Sequence, residues 1–207
     1  VGRYIIEECA KQHKVAAVEM GGKNAVIVLD DANIEIALNA AILSAFKTSG
    51  QRCVSSNRII VHEKLEPEFT PRFVELAKRI NIGNGLREDT FMGPLINEQG
   101  VEKYLYHNQK AIEEGAEVLL PGGVLRDGEY QYGHFVAPFV YRMRHRADSF
   151  ALKEEAFSPH VAIIPVSDLD EAIHVYNDTK YGLAMAVITE DYRKWRYVRD
   201  NCEFGVG

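Results

Sequence analysis

The chain has 207 residues, of which 46% are hydrophobic and 26% charged, a composition typical of a globular protein with one sizeable core. Its formal net charge of −6 disfavours nucleic-acid and anionic-membrane partners, because both are bound by clustered lysine and arginine. No apolar run approaches the roughly 20 residues that cross a bilayer. Charged residues interrupt the first turns, so we expect no signal peptide.

Helical and strand-like patterns alternate along the chain. The helices repeat apolar side chains at helical spacing, as in Phe69, Phe73 and Leu76, and the strands are short apolar runs bounded by turn residues. The alternation predicts an α/β fold, a largely parallel sheet flanked by helices. In chain order we expect helix 1–13, strands 14–19 and 25–29, helix 33–47, strand 57–62, helices 66–80 and 98–114, strands 116–120, 134–140 and 160–165, helix 169–177, strand 184–189 and helix 192–201.

The connections between these elements carry their own predictions. Asp31 is the expected N-cap of the helix that follows it. A turn is expected at residues 121–123, followed by a polar surface excursion at 126–132, and residues 204–207 look like the start of a strand. Because the chain begins with valine and ends on this strand-like stretch, we expect it to be a piece of a longer protein.

Cys53 lies in a tight connection, Thr48-Ser-Gly-Gln-Arg-Cys-Val-Ser-Ser56, between a predicted helix and a predicted strand. It has no CxxC partner, so it is a candidate nucleophile rather than half of a disulfide. A small buried core residue is the alternative, and Cys9 and Cys202 are interpreted in that way. Three scattered cysteines fit a reducing cytosol, so we expect a cytoplasmic protein.

A second motif, Glu19-Met-Gly-Gly-Lys23, follows an apolar run and places a carboxylate where a general base is useful. Together with Gly50-Gln-Arg-Cys53, it resembles the two active-site signatures of the aldehyde dehydrogenase superfamily in order and spacing. Two further stretches strengthen the resemblance. Met92-Gly-Pro-Leu-Ile96 looks like the family's Gly-Pro segment, and Lys153-Glu-Glu-Ala-Phe-Ser-Pro159 resembles its Glu-Glu-Ile-Phe-Gly-Pro motif, with Ser158 in place of glycine.

The resemblance implies a role for each of five residues. Cys53 is the nucleophile, which forms a thiohemiacetal and then a thioester, and Glu19 is the general base. Glu155 holds the nicotinamide ribose, Phe157 borders the nicotinamide, and the Met20 carbonyl bonds the nicotinamide amide. The implied cofactor is NAD or NADP, the substrate a small aldehyde, and the parent protein a homo-oligomer.

The resemblance also implies a division of the chain. Residues 1–22 correspond to the tail of a coenzyme-binding domain, and residues 23–207 to a catalytic domain truncated at its C-terminal end. Most of the coenzyme domain has no counterpart here, including an asparagine that completes the oxyanion hole. We therefore expect the 207-residue chain itself to bind coenzyme weakly and to be inactive.

Other functions remain open at the level of sequence. The chain could belong to a coenzyme-A-acylating aldehyde dehydrogenase, although that class does not need Glu19 for deacylation, or to a catalytically silent structural relative. A cysteine hydrolase needs a histidine beside its thiolate, and only His62 is near Cys53 in sequence. Arg52 could meet an anionic substrate or be a surface charge. The histidines lack metal-ligand spacing, so no metal site is predicted.

Overall fold

The computed structural model describes all residues, 1–207, and contains seven α-helices and six β-strands. The helices are α1 Gly2–Lys11, α2 Ile34–Phe46, α3 Glu66–Lys78, α4 Glu98–Glu113, α5 Phe150–Lys153, α6 Leu169–Asn177 and α7 Tyr192–Asn201. The strands are β1 Asn24–Val28, β2 Ser56–His62, β3 Glu117–Val124, β4 Val136–Arg142, β5 His160–Val166 and β6 Met185–Ile188. No helix is long and apolar enough to cross a membrane.

The six strands form one sheet in the order β3-β4-β5-β2-β1-β6. All neighbouring pairs are parallel except β3 and β4, which are antiparallel. The predicted α/β fold with a largely parallel sheet is thereby confirmed. Three central strands, β5, β2 and β1, run side by side in the same direction, so their amino ends meet at one edge.

Apolar cores lie on both faces of this sheet. In β1, Ala25 and Ile27 belong to one cluster while Val26 and Val28 belong to the other, because successive side chains of a strand point to opposite faces. All five residues of β1 are buried, as expected of a parallel strand covered on both sides.

Four expectations from the sequence were wrong. Residues 14–19 form no strand, because no neighbouring strand supplies hydrogen bonds to them. Asn33, not Asp31, caps α2, accepting a hydrogen bond from the Ile36 N–H. The Asp31 carboxylate instead accepts one from the Thr189 hydroxyl at 2.8 Å. Residues 204–207 make only an isolated bridge, between Val206 and Ala184.

The predicted turn at 121–123 was the fourth error, because β3 continues through these residues. Gly122 and Gly123 allow close packing against α4 and do not reverse the direction of the chain. A Cβ on Gly122 would lie 1.9 Å from the Tyr104 hydroxyl oxygen, and the Gly123 N–H donates to that oxygen at 2.9 Å. Glycine is thus required here to let the side chain of α4 reach the strand backbone.

Candidate active site

The predicted functional residues lie on three segments that lead into neighbouring parallel strands. Residues 19–23 precede β1, residues 48–55 precede β2, and residues 153–159 precede β5. Because these strands are adjacent and parallel, the segments converge at the amino edge of the sheet. Glu19 therefore does not end a strand, as expected from sequence, but lies on the segment that enters β1.

The convergence creates an open cavity of about 450 Å³. All five residues assigned from the sequence line it, together with residues from the start of α4 that the sequence interpretation had not placed there. The complete lining is Glu19, Met20, Gly21, Gln51, Cys53, Ile96, Gly100, Lys103, Glu155 and Phe157. The cavity contains both apolar surface and two carboxylates around a single thiol.

The backbone before Cys53 is held in an unusual conformation. Thr48, Ser49 and Gly50 have φ angles of 57°, 57° and 67°, three consecutive residues in the left-handed region. For a residue with a side chain this conformation costs on the order of 1–3 kcal/mol. The Ser49 hydroxyl, which donates to the Gly93 carbonyl at 2.7 Å, helps to fix the turn and delivers Cys53 to the cavity.

Cys53 is half-buried and is a free thiol. Its backbone N–H donates to no acceptor in the protein, so it can bond an oxygen that enters the cavity. Its carbonyl accepts a hydrogen bond from the Asn24 amide nitrogen at 2.7 Å. Asn24 also donates to the Ser55 carbonyl at 3.0 Å and accepts from the Ala184 N–H at 2.9 Å.

Asn24 is a residue that the sequence interpretation missed. It links the Cys53 turn to β1 and to the entry of β6 through one side chain. Its sequence signal is a polar residue at the first position of the otherwise apolar, fully buried strand Asn24–Val28. A buried polar side chain that satisfies three backbone groups is a positioning element, since leaving those groups unpaired is costly.

Glu155 is fixed by the backbone of the Glu19 motif. The Gly22 N–H donates to a Glu155 carboxylate oxygen at 2.9 Å, and the other oxygen has no protein donor. A Cβ on Gly21 would lie 2.3 Å from this carboxylate, so glycine is needed for the approach. Phe157 lines the cavity and is 38% exposed as a residue, and it has a left-handed φ of 53°.

Lys23 makes a second connection between the Glu19 motif and the part of the chain that leads to Glu155. Its side chain is fully buried, and the Nζ donates to the Ala151 carbonyl in α5 at 2.9 Å. Burial, with a smaller contribution from the nearby Arg58 charge, lowers the pKa of Lys23 to about 7. The residue thus links the start of β1 to α5.

The four-residue helix α5, which precedes Glu155, is held at its amino end as well. The Ser149 hydroxyl accepts from the Leu152 N–H at 3.0 Å, and the Glu114 carboxylate accepts from the Phe150 N–H at 2.8 Å. A carboxylate at a helix amino terminus pairs with otherwise unsatisfied N–H groups. Without such contacts so short a helix would not persist.

The contacts of Glu19, Arg52 and the histidines bear on the other interpretations of the sequence. Glu19 makes no ion pair or hydrogen bond to another side chain. Arg52 donates to the Leu43 and Ser44 carbonyls at 3.0 and 3.3 Å, so its guanidinium is engaged at the end of α2. His62 ends β2, roughly 20 Å from its start at about 3.3 Å per residue, and no histidine lines the cavity. No cluster of side chains suited to a metal ion is present.

The sequence matches the profile of the aldehyde dehydrogenase family over residues 1–206. It is 34% identical over its whole length to an alpha-ketoglutaric semialdehyde dehydrogenase of Bacillus subtilis, of which it covers 42%. It is 37% identical over 92% of its length to a betaine aldehyde dehydrogenase of Brucella anthropi, of which it covers 39%. The chain therefore spans about two fifths of the length of these curated relatives.

Solved structures give the same result. A betaine aldehyde dehydrogenase from Staphylococcus aureus, solved in complex with NAD+, superimposes with a TM-score of 0.93 at 32% identity. The match covers 99% of this chain and 41% of that one. HpcC from Thermus thermophilus superimposes with a TM-score of 0.91 at 32% identity, over 99% of this chain and 40% of that one. Sequence profile, relatives and fold agree, and the chain belongs to the aldehyde dehydrogenase family.

Proposed function

We propose that the enzyme containing this chain oxidises an aldehyde to a carboxylic acid and transfers hydride to NAD+ or NADP+. The observation that carries the proposal is the convergence of Cys53, Glu19, Glu155 and Phe157 on one cavity at the amino edge of the sheet. The family membership and the aldehyde substrates of the two curated relatives support an aldehyde as the substrate class.

The residues around the cavity fit a nicotinamide coenzyme. One Glu155 oxygen is occupied by the Gly22 N–H, and the other is available to accept a hydrogen bond from a ribose hydroxyl. Phe157 offers a partly exposed ring against which a planar heterocycle can pack. Glu155, Phe157 and the Met20 carbonyl would hold the nicotinamide end, where the bound coenzyme supplies an acceptor for hydride.

Cys53 performs the first step. A thiol is only a few per cent thiolate at neutral pH, so Glu19 accepts its proton. The thiolate then forms a bond to the aldehyde carbon, and the carbonyl electron pair moves to the oxygen to give a thiohemiacetal oxyanion. The unpaired Cys53 N–H can donate to that oxyanion, and a single such donor is typically worth about 3–4 kcal/mol in acyl-transfer enzymes.

Collapse of the oxyanion re-forms the carbonyl while the carbon–hydrogen bond breaks, and hydride departs with both electrons. The product on Cys53 is a thioester. Glu19, having released the Cys53 proton to solvent, then removes a proton from water. The water oxygen bonds to the thioester carbon, the carbon–sulfur bond breaks, and the carboxylic acid leaves while Cys53 is restored as a thiolate. The presence of a base in the cavity favours water over coenzyme A as the acyl acceptor.

The division of the chain is part of the proposal. Residues 1–22 belong to the end of a coenzyme-binding domain and residues 23–207 to a catalytic domain. This is supported by the coverage of only about two fifths of the relatives and by helix α1, which buries none of its residues. The 207-residue chain alone then lacks most of the coenzyme contacts, and we expect it to be inactive.

The test is replacement of the nucleophile in the complete enzyme. Cys53→Ala removes the only thiol in the cavity, and we expect aldehyde-dependent NAD(P)H formation to fall by at least about a thousandfold. Coenzyme binding, measured by NADH fluorescence, should change by less than about twofold. Cys9→Ala, another free cysteine outside the cavity, is the matched control and should retain parental activity. Retention of more than a few per cent of turnover in Cys53→Ala would contradict the assignment.

A further inference from the structure

The segment that carries Glu155 and Phe157 is bound by a loop from elsewhere in the chain. We call residues 153–157 the 153–157 segment and residues 178–181, which follow α6, the 178–181 loop. Every residue of the loop, from Asp178 through Tyr181, makes a side-chain hydrogen bond to Lys153 or Glu154. None of these loop residues lines the cavity itself.

Asp178 makes the most protected of these contacts. Its two carboxylate oxygens pair with Lys153 Nζ at 2.7 Å and with His145 Nε2 at 2.8 Å. The side chains of Lys153 and Asp178 are only 27% and 25% exposed, so solvent screens this pair less than a surface ion pair. The Lys153 hydrogen bond, and to a smaller extent that of His145, holds the pKa of Asp178 below its ordinary value.

Lys180 makes a second ionic contact one residue farther along the segment. Its Nζ donates to both oxygens of Glu154 at 2.7 and 2.9 Å. The Tyr181 hydroxyl donates to the same carboxylate at 3.5 Å, and the Thr179 hydroxyl donates to the Lys153 carbonyl at 3.4 Å. Two adjacent residues of the 153–157 segment are thus held by four loop side chains, directly before Glu155.

The segment needs such support for a physical reason. Phe157 has a left-handed φ of 53°, a conformation that persists in a bulky residue only where neighbouring structure enforces it. Helix α5, which leads into the segment, has only four residues and no stability of its own. Gly22 supplies only one hydrogen bond to Glu155, and the 178–181 loop adds the side-chain contacts to the two residues directly before it.

We propose that the 178–181 loop positions Glu155 and Phe157 for the coenzyme, with Asp178 and Lys180 as positioning residues that never touch it. The inference rests on the proposed function, because it assigns a purpose to the geometry of the coenzyme contacts. Releasing the Lys153–Asp178 pair frees the segment to move, and the Glu155 carboxylate and Phe157 ring then spend less time in the arrangement that binds coenzyme.

The first test measures the coupling without any coenzyme. Hydrogen–deuterium exchange of the complete enzyme is followed by mass spectrometry for the parent protein and for Asp178→Asn. We expect the amides of residues 154–158 to exchange at least about fivefold faster in the variant, since a local opening has become easier. Asp148→Asn is the matched control, because Asp148 is a carboxylate near α5 that pairs with Arg146 at 2.9 Å and is 75% exposed. It makes no hydrogen bond or ion pair with the 153–157 segment.

The second test separates positioning from a general loss of structure. In steady-state kinetics Asp178→Asn should raise the KM for coenzyme about five- to tenfold, with the KM for aldehyde within about twofold of the parent. Lys180→Glu, which places two carboxylates together, should do the same. The double variant Glu154→Lys with Lys180→Glu restores opposite charges and should return the coenzyme KM towards the parental value, a rescue that a merely structural defect would not show.

The outcomes distinguish the inference from the function on which it rests. Unchanged exchange at residues 154–158 in Asp178→Asn, or no rescue in the double variant, would overturn the positioning role. Should Asp178→Asn fail to fold, the Lys180 series decides alone. Glu155→Gln tests the proposed function separately. If this variant leaves the coenzyme KM unchanged, Glu155 does not contact the coenzyme. The loop then cannot position such a contact, even if hydrogen–deuterium exchange is faster in Asp178→Asn.

Discussion

At the scale of single residues, the site depends on side chains that act on backbone groups rather than on substrate. Asn24 holds the Cys53 carbonyl and Lys23 holds the Ala151 carbonyl. Lys23 and Asn24 are the next two residues after Gly22, whose N–H donates a hydrogen bond to the Glu155 carboxylate. A stretch of three residues, 22–24, therefore connects Cys53, the 153–157 segment and β1. The sequence identified this stretch only as the continuation of the glutamate motif.

Lys23 gives a prediction at this scale. Its pKa is lowered from 10.5 to about 7 in the folded protein, so between these pH values the unfolded chain binds a proton that the folded chain has released. The free energy of unfolding should therefore rise with pH in this window. From pH 7 to 9 the parent should gain about 2–3 kcal/mol relative to Lys23→Met, measured by urea denaturation.

The exposed Lys103, which lies on α4 at the cavity, is the matched control. In Lys103→Met the difference from the parent should be independent of pH. If the parent and Lys23→Met showed the same pH dependence, Lys23 would have to be charged in the folded protein up to alkaline pH, and its burial would not have lowered its pKa.

At the scale of elements, α4 packs against the start of β5, directly after the segment that carries Glu155 and Phe157. His160 begins β5 and is fully buried, with its Nδ1 2.9 Å from Asn108 Oδ1 and its Nε2 3.3 Å from the Tyr141 hydroxyl. His107 on α4 packs against it, with ring centroids 5.8 Å apart. Burial lowers the pKa of His107 to about 4 and that of His160 well below its ordinary value.

This contact predicts sensitivity to acid. Below pH 6.5 the unfolded chain takes up protons on both histidines while the folded chain does not, so stability should fall as the pH drops from 6.5 towards 4. His107→Phe keeps an aromatic ring and removes one of these groups. Between pH 6.5 and 4.5 it should lose about 2 kcal/mol less than the parent, measured by chemical denaturation.

His134→Phe changes an exposed histidine and is the control, with the parental acid dependence expected. Equal acid sensitivity in His107→Phe and the parent would mean that His107 takes up its proton over the same pH range in the folded and the unfolded chain, so that burial has not lowered its pKa. The burial of α4 against β5 would then have to be looser than the structure shows.

At the scale of the whole molecule, the sequence predicted the elements better than their assembly. Short apolar runs and amphipathic stripes are local signals, and they indicated the strands and helices of the parallel sheet. The pairing of Gly22 with Glu155 joins residues 133 positions apart, and no local pattern encodes it. For the same reason residues 14–19 resembled a strand, although strand formation depends on a neighbour that the run itself cannot specify.

For the candidate site, too, the sequence indicated individual residues better than their arrangement in space. Cys53, Glu19, Glu155 and Phe157 were indicated by short motifs, and the structure places all four on one cavity. Their location at the amino edge of the sheet follows from the strand order β5-β2-β1, which the sequence does not reveal. The contributions of Ile96, which precedes α4, and of Lys103 on α4 were missed. Nothing in the pattern of a surface helix marks the residues that approach another segment.

The central claim is that Cys53 carries the acyl group and that Glu19 is the base for the water that hydrolyses it. Trapping the thioester tests this claim most directly. In the complete enzyme Glu19→Gln keeps the size of the side chain and removes the base, so deacylation should become slow. Mixing this variant with aldehyde and coenzyme should give a burst of NAD(P)H of about one equivalent per site, followed by slow turnover. Mass spectrometry of the quenched variant should find the acyl group on the Cys53 peptide and on no other cysteine. Parental turnover without a burst, or an acyl group on another residue, would contradict the account.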